Sequence, residues 1–399
     1  MRILFLTLAG IKNVSDRGIY NDLVREFVRQ GHQVFIMNPV ERRYGKKTHL
    51  LEFPNVKILR VKTLNIQKTN VVEKGLATIS LERIFLRNLH EYWDDVKFDL
   101  VLYSTPPITF NHVIGHVRKK YHAASYLLLK DIFPQNAVDL GMLSKSGLKR
   151  LLYRGFRKKE IELYKLSDHI GCMSPANVEY LLKHNPNIPP ERVEVAPNSI
   201  ELTDLPPVDR NAIRSKYGLP VDVPIFIYGG NLGKPQGIPF LIQCLDANKG
   251  RKDCHFLVIG TGTELPKLKS WYETSRPESV TVMNGLPKED YDQLVRSCDV
   301  GLIFLDHRFS IPNYPSRLLS YLEFKMPILA ATDPNTDIGR IAEENGYGFW
   351  CESNDVEAFT GLVNKLLTAD RKAMGEKGYD FLCKNYLVEN TYNAIMRHV

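Results

Sequence analysis

The sequence contains no stretch of about 18 uncharged apolar residues, so no helix of membrane-spanning length is expected. Its six cysteines, Cys172, Cys244, Cys254, Cys298, Cys351 and Cys383, are scattered without CxxC or any other metal-ligand spacing. That spacing excludes a zinc ribbon or a disulfide scaffold, and buried thiols in a reducing cytoplasm are expected instead. Clustered His and Cys ligands are missing as well, so no metal is expected. The N-terminal MRILFLTLAG has one charge and a short apolar run without a cleavage site, and it reads as a first strand rather than a signal peptide. Basic residues are interleaved with few aromatics, which argues against a nucleic-acid partner.

What is present describes a globular chain. At 399 residues it is too long for one core and suggests two domains. The formal charge of +8 is uneven: residues 1–200 hold 31 Lys+Arg against 19 Asp+Glu, and residues 201–399 hold 22 against 26. The first half is therefore +12 and the second −4, so the N-terminal half is the one suited to an anionic surface or ligand.

Strands and helices alternate throughout, the pattern of parallel α/β sheets. Strand 2–8, helix 18–30 and strand 33–37 make a βαβ unit. Its first loop puts Ser15 and Gly18 at the carboxyl end of a strand, where ligands of open α/β sheets bind, although a tight structural turn uses the same residues. Residues 39–75 read as an irregular polar excursion around a strand-like 56–61. A rigid Ser104-Thr105-Pro106-Pro107 turn follows strand 100–103. Strand 125–129 then runs into Lys130-Asp131, placing Asp131 at another strand end as a ligand-facing acid or as a helix N-cap. The helix 147–165 carries Arg150, Arg154, Arg157 and Lys158 among Leu151, Leu152 and Phe156. With Lys119 and Lys120 it suits an anionic lipid surface, each cation adding about 1 kcal/mol there, or else a solvated face packed by its apolar side. A Pro-rich link, Leu205-Pro206-Pro207, sets the domain boundary near residue 205.

The second half repeats the pattern. After strand 224–228 comes the loop Gly229 to Gly237, in which Gly230 and Gly233 let the backbone approach a phosphate and Lys234 supplies charge. It matches neither GxxxxGK[ST] nor GxGxxG, which excludes the P-loop and dinucleotide labels. Strand ends at Gly230, Gly260, Gly285 and Phe304 are expected along one edge of one sheet, a nucleotide-sized site. The chain then enters SIPNYPSRLLSYLEFKMPILAA, Ser310 to Ala331. Pro315 opens a helix, Leu318, Leu319, Leu322 and Met326 supply its apolar stripe, and Pro327 ends it. Ser316 and Arg317 then lie where free N–H groups point outward. That is an anion site in which an Arg can clamp a diphosphate, while an ordinary amphipathic helix with a solvated Arg fits the same residues.

Across the whole chain the motifs resemble the retaining, nucleotide-sugar-dependent enzymes of glycosyltransferase family 4, in the O-antigen and capsule branch of N-acetyl-fucosaminyltransferase type. The carriers are Gly18-Ile19-Tyr20, Gly31-His32-Gln33-Val34, Ser104 to Pro107, Lys130 to Pro134, Ser174-Pro175, Pro197-Asn198-Ser199, Gly230 to Gly233 with Gln236-Gly237, Gly260-Thr261-Gly262, Gly285-Leu286-Pro287 and Pro315-Ser316-Arg317. Their order and spacing are specific where each alone is not. The resemblance implies an α/β protein of GT-B fold, two Rossmann-like doubly wound domains facing across a cleft. Residues 1–204 would form the acceptor-side domain and 205–385 the nucleotide-sugar domain, with a last helix at about 386–399 packing back on the first. By match, Gly230, Asn231, Gly233, Lys234, Gln236, Gly260, Leu286, Tyr314, Ser316, Arg317 and Ser320 would hold the donor. Asp131 and Arg317 would serve the chemistry, and Ser15, Gly18 and Thr105 the acceptor. Two departures stand out: Asn231 and Gln236 replace Arg and Lys of many members, and Pro312 and Ser320 occupy the places of two Glu.

The reaction implied is transfer from a UDP-linked sugar to a polyprenyl-diphosphate-linked saccharide, peripherally on the inner face of the cell membrane. No cofactor beyond the nucleotide sugar is called for. A UDP-sugar 2-epimerase of the same architecture and a non-catalytic membrane-peripheral subunit, the latter motivated by Pro312 and Ser320, are the rival readings.

Overall fold

The structure, a computed structural model, describes residues 1–66, 71–147 and 149–399, with the backbone alone over 71–79. It divides into two units, Met1–Glu201 with Leu387–Val399, and Leu202–Tyr386.

In the first unit the chain runs β1 (Arg2–Leu6), α1 (Ile19–Arg29), β2 (Gln33–Glu41), β3 (His49–Phe53), β4 (Val56–Thr63), α2 (Val71–Trp93), β5 (Leu100–Ser104), α3 (Asn111–Tyr121), β6 (Ala124–Leu129), α4 (Gln135–Asp139), α5 (Lys149–Leu166), β7 (His169–Cys172), α6 (Pro175–His184) and β8 (Val193–Val195). The strand order is β3-β4-β2-β1-β5-β6-β7-β8, parallel except for β3. Central strands such as Ile3-Leu4-Phe5-Leu6 are buried on both faces, as a helix-covered parallel sheet requires. Residues 67–70 of the expected irregular stretch at 39–75 lie outside the described residues, and most of the rest forms strands and helix instead. β2 continues to Glu41 because β4 pairs with it through Asn38↔Arg60 and Val40↔Lys62. Pro39, which has no N–H to give, falls beyond the end of β1, where β2 has lost its other neighbour. Buried Arg60 is anchored on the carbonyls of Ile11 and Pro39, at 3.2 and 3.3 Å.

The second unit runs α7 (Arg210–Lys216), β9 (Ile225–Asn231), α8 (Ile238–Ala247), β10 (His255–Thr261), α9 (Leu265–Ser275), β11 (Val280–Asn284), α10 (Lys288–Arg296), β12 (Val300–Phe304), α11 (Arg317–Glu323), β13 (Ile328–Thr332), α12 (Ile338–Glu344), β14 (Gly348–Glu352), α13 (Val356–Thr368) and α14 (Arg371–Asn385). Its sheet is parallel throughout in the order β11-β10-β9-β12-β13-β14. The four strands expected to end side by side therefore do so. The last helix, α15 (Val388–Met396), lies in the first unit against α1. Ile395 and Val388 join Val24 and Phe27 in the core, the Tyr392 hydroxyl meets His32 at 3.0 Å, and Ile200 pairs with Leu387. Five of the six cysteines are buried free thiols and Cys383 is half-buried. No helix of the described residues is long and apolar enough to cross a membrane.

Candidate active site

In the second unit the site is built on glycine. Gly260 pairs with Gly230 across β10 and β9. A Cβ on Gly260 would sit 1.8 Å from the Gly230 carbonyl oxygen, and one on Gly262 2.2 Å from that of Leu232. Only glycine lets these strand ends close on each other, and Gly230 itself has φ +118°. Asn231 and Gln236 turn toward each other: the Asn231 amide donates to Gln236 Oε1 at 3.0 Å, and the Gly233 N–H donates to the same oxygen at 3.1 Å. These residues brace the loop from within and leave Lys234 exposed at its tip.

Arg317 faces that loop. The helix begins at Arg317 with Ser316 as its exposed cap, later than the expected opening at Pro315, and ends at Glu323, short of Met326. Its guanidinium stacks on Tyr228, with Cζ 4.2 Å from the ring centroid. A Cβ built on Gly230 would lie 3.7 Å from Nη2, while Nη1 is buried without any partner. Burial opposes the charge, but the hydroxyls of Tyr228, Tyr321 and Tyr291 outweigh it and hold the Arg317 pKa above its ordinary value. Tyr321 is locked in place: its hydroxyl donates to the Ile227 carbonyl at 3.1 Å and accepts from the Gly229 N–H at 3.3 Å. Tyr291 crosses over Gly229, where a Cβ would be 1.9 Å from its hydroxyl. The arrangement is a half-buried, permanently charged fork held flat on Tyr228, with Nη2 turned to the glycine loop, which suits a phosphate oxygen.

Other expected donor residues are less direct. Leu286 is half-buried in the turn between β11 and α10, and Ser320 is half-buried in α11. Tyr314 is turned onto the Tyr386 hydroxyl, and burial pushes its pKa well up. One acidic triplet, Asp290-Tyr291-Asp292, lies inside α10, where Lys216 and Lys288 pair with its carboxylates.

In the first unit, Asp131 follows the end of β6. Asn136 donates to both carboxylate oxygens, at 2.7 and 2.8 Å, and burial pushes the carboxyl up to about 6 against those bonds. Thr105 is 2% exposed, and its hydroxyl accepts the N–H groups of Lys130 and Asp131 and donates to the Asp131 carbonyl. It positions this segment and has nothing left to offer an acceptor. Lys130 was not anticipated: its ammonium lies 3.0 Å from the Ala196 carbonyl, and burial lowers its pKa to about 7. The signal available was its place beside Asp131 at a strand end. Ser15 and Gly18 stay in the β1–α1 loop, with the Gly18 N–H held by Asp22 at 3.1 Å.

The six basic residues also part company. Lys119, Arg150, Arg154 and Lys158 are exposed, the last three as one i, i+4, i+8 stripe on α5. Arg157 instead turns inward to Glu160 and Asn185, both at 2.6 Å, and Lys120, though exposed, pairs with Asp94 at 2.6 Å. Leu151 and Leu152, available as packing residues, are 72% and 59% exposed beside the stripe.

Residues 209–381 match the family model described as "Glycosyl transferases group 1". A probable glycosyltransferase, WbjE of Pseudomonas aeruginosa, is 25% identical over 325 residues, covering 80% of this chain and 78% of that one. Among solved structures, HepE of Anabaena in complex with UDP-glucose superposes with a TM-score of 0.69 at 14% identity, covering 100% of this chain and 99% of that one. WaaG, a glycosyltransferase involved in lipopolysaccharide biosynthesis, superposes at 0.66 and 15%, covering 98% of each. At such identities the structures speak for the fold, and the family match for the chemistry. The chain is a glycosyltransferase of GT-B fold, its second unit carrying a glycosyl transferases group 1 domain.

Proposed function

We propose that the protein is a retaining family 4 glycosyltransferase that moves a sugar from a UDP-linked donor to a polyprenyl-diphosphate-linked saccharide in bacterial surface polysaccharide synthesis. The observation that carries it is Arg317, half-buried and stacked on Tyr228, with Nη2 beside Gly230 and Nη1 without a hydrogen-bond partner. In this reading the departing diphosphate is met by Arg317 and Lys234 against the side-chain-free backbone at Gly230 and Gly233, so that charge is stabilised where it develops. Asp131, ionised above about pH 6, is the residue of the first unit that the resemblance assigns to the chemistry. A relative's solved complex with UDP-glucose supports the donor class, and WaaG's place in lipopolysaccharide biosynthesis supports the polysaccharide setting. The family match is to transferases, which disfavours the epimerase and the inert subunit.

A melting-temperature panel of nucleotides tests the donor. UDP and a UDP-sugar should each raise Tm, by an amount equivalent to about 2.7 kcal/mol at a hundredfold excess over Kd, and ADP and GDP should not. Incubation with a prenyl-diphosphate saccharide should then yield a product whose new linkage keeps the donor's anomeric configuration by NMR. No UDP shift, or an inverted linkage, rejects the reading.

The same reading puts the α5 face on the inner membrane surface. Exposed Leu151 and Leu152 beside the Arg150, Arg154 and Lys158 stripe suit an interface that is anionic outside and apolar beneath. The protein should sediment with phosphatidylglycerol vesicles, less so at high salt, and the double variant Leu151→Glu, Leu152→Glu should stay in the supernatant. Equal sedimentation of the two would remove this face from the membrane.

A further inference from the structure

Two histidines and a carboxylate converge in the first unit at a place that the transfer reaction does not use. His90 lies in the last turn of α2, Asp94 follows four residues on, and His116 faces them from α3. His90 Nδ1 is 2.8 Å from Asp94 Oδ1, and the two imidazole rings meet edge-on with centroids 4.5 Å apart. One ligand atom from each of the three lies within 4.8 Å of the others. Ligands of a tetrahedral zinc ion, at about 2.0–2.2 Å from the metal, sit roughly 3.3 Å from one another. His90 and Asp94 are exposed and His116 half-buried, so side-chain rotation alone can close that gap.

The donor set decides the ion. Two imidazole nitrogens and one carboxylate oxygen favour a borderline first-row cation over Mg²⁺ or Ca²⁺, which prefer all-oxygen shells. Lys120 now occupies the rim: its ammonium is 2.6 Å from Asp94 Oδ1 and 2.8 Å from the Asp94 carbonyl. It holds the carboxylate with the same sign of charge a metal would bring, and so competes with one. Topology places the cluster away from the chemistry. α2 leads into β5 and α3 into β6, so both helix ends lie at the amino edge of the sheet, opposite Thr105 and Asp131 at the carboxyl edge.

We propose that His90, Asp94 and His116 form a zinc-binding site that fastens α2 to α3. The protein, stripped with chelator, is titrated with Zn²⁺ against a chromophoric competitor, and its melting is followed with and without the metal. One equivalent should bind, and Tm should rise. His90→Gln and His116→Gln should each weaken binding by about tenfold or more and lose the Tm rise. Lys120→Ala, which removes the competing cation but no ligand, should tighten binding. All three changes are at the surface of folded helices, so the folded variants can be compared directly. The proposal is overturned if wild type binds no zinc, if His116→Gln binds it as tightly as wild type, or if Lys120→Ala weakens it.

Discussion

Replacing Arg317 with alanine is expected to lower kcat/KM by two to three orders of magnitude or more while the protein stays folded. The size of the loss follows from the setting. One preorganised donor at a developing anion is worth about 10²–10³ in rate, and here the donor is also a half-buried positive charge. The fold should tolerate the change because Arg317 has no carboxylate partner among the described residues. Its principal contact is the Tyr228 ring, a cation–π pair worth about 1–2 kcal/mol. Arg317→Lys should restore little, since a point charge has neither the flat face that lies on Tyr228 nor the two-pronged donor geometry. UDP should no longer raise the melting temperature of either variant. A folded Arg317→Ala enzyme working within about tenfold of wild type would take the guanidinium out of the diphosphate site.

Gly260→Ala should be nearly as damaging, but through the fold. The added methyl would lie 1.8 Å from the Gly230 oxygen and 2.9 Å from its carbonyl carbon, both backbone atoms in a paired strand end. No side-chain rotation relieves such an overlap, so β9 and β10 must part or Gly230 must swing away. The cost should be about 3 kcal/mol or more, which in a unit of this size is a fall of about 6–12 °C in Tm. Donor KM should rise as well, because the displaced carbonyl belongs to the loop beside Arg317. Gly250→Ala serves as the control: a Cβ there meets nothing within 4 Å, and its Tm should stay near that of wild type. Equal melting of the two alanine variants would mean that the close approach of β9 and β10 is not a constraint.

The architecture was legible because it follows from alternation. Parallel strands joined by helices leave few arrangements, and so the ends of β9, β10, β11 and β12 could be expected side by side. Contacts made across long sequence separations were not legible. Nothing near Arg317 announces that Tyr228 and Tyr291 will enclose it, and nothing near Lys130 announces Ala196. Charge was the other blind spot. Arg157 and Lys120 look like their unpaired neighbours in the sequence; Glu160 lies one turn from Arg157, but only the folded chain brings Asn185 to it and Asp94 to Lys120. Leu151 and Leu152 left two readings open, lipid-facing or packed, and only the folded chain shows them bare where a helix's apolar residues are usually covered.

The dependence of the first unit on α15 also orders events at the ribosome. The second unit is an uninterrupted segment and can close as soon as Tyr386 has emerged, whereas the first is completed only by residues 387–399, which are made after it. Until then Val24 and Phe27 lack Val388 and Ile395 as neighbours, so the half of the enzyme that is translated first is the half that matures last.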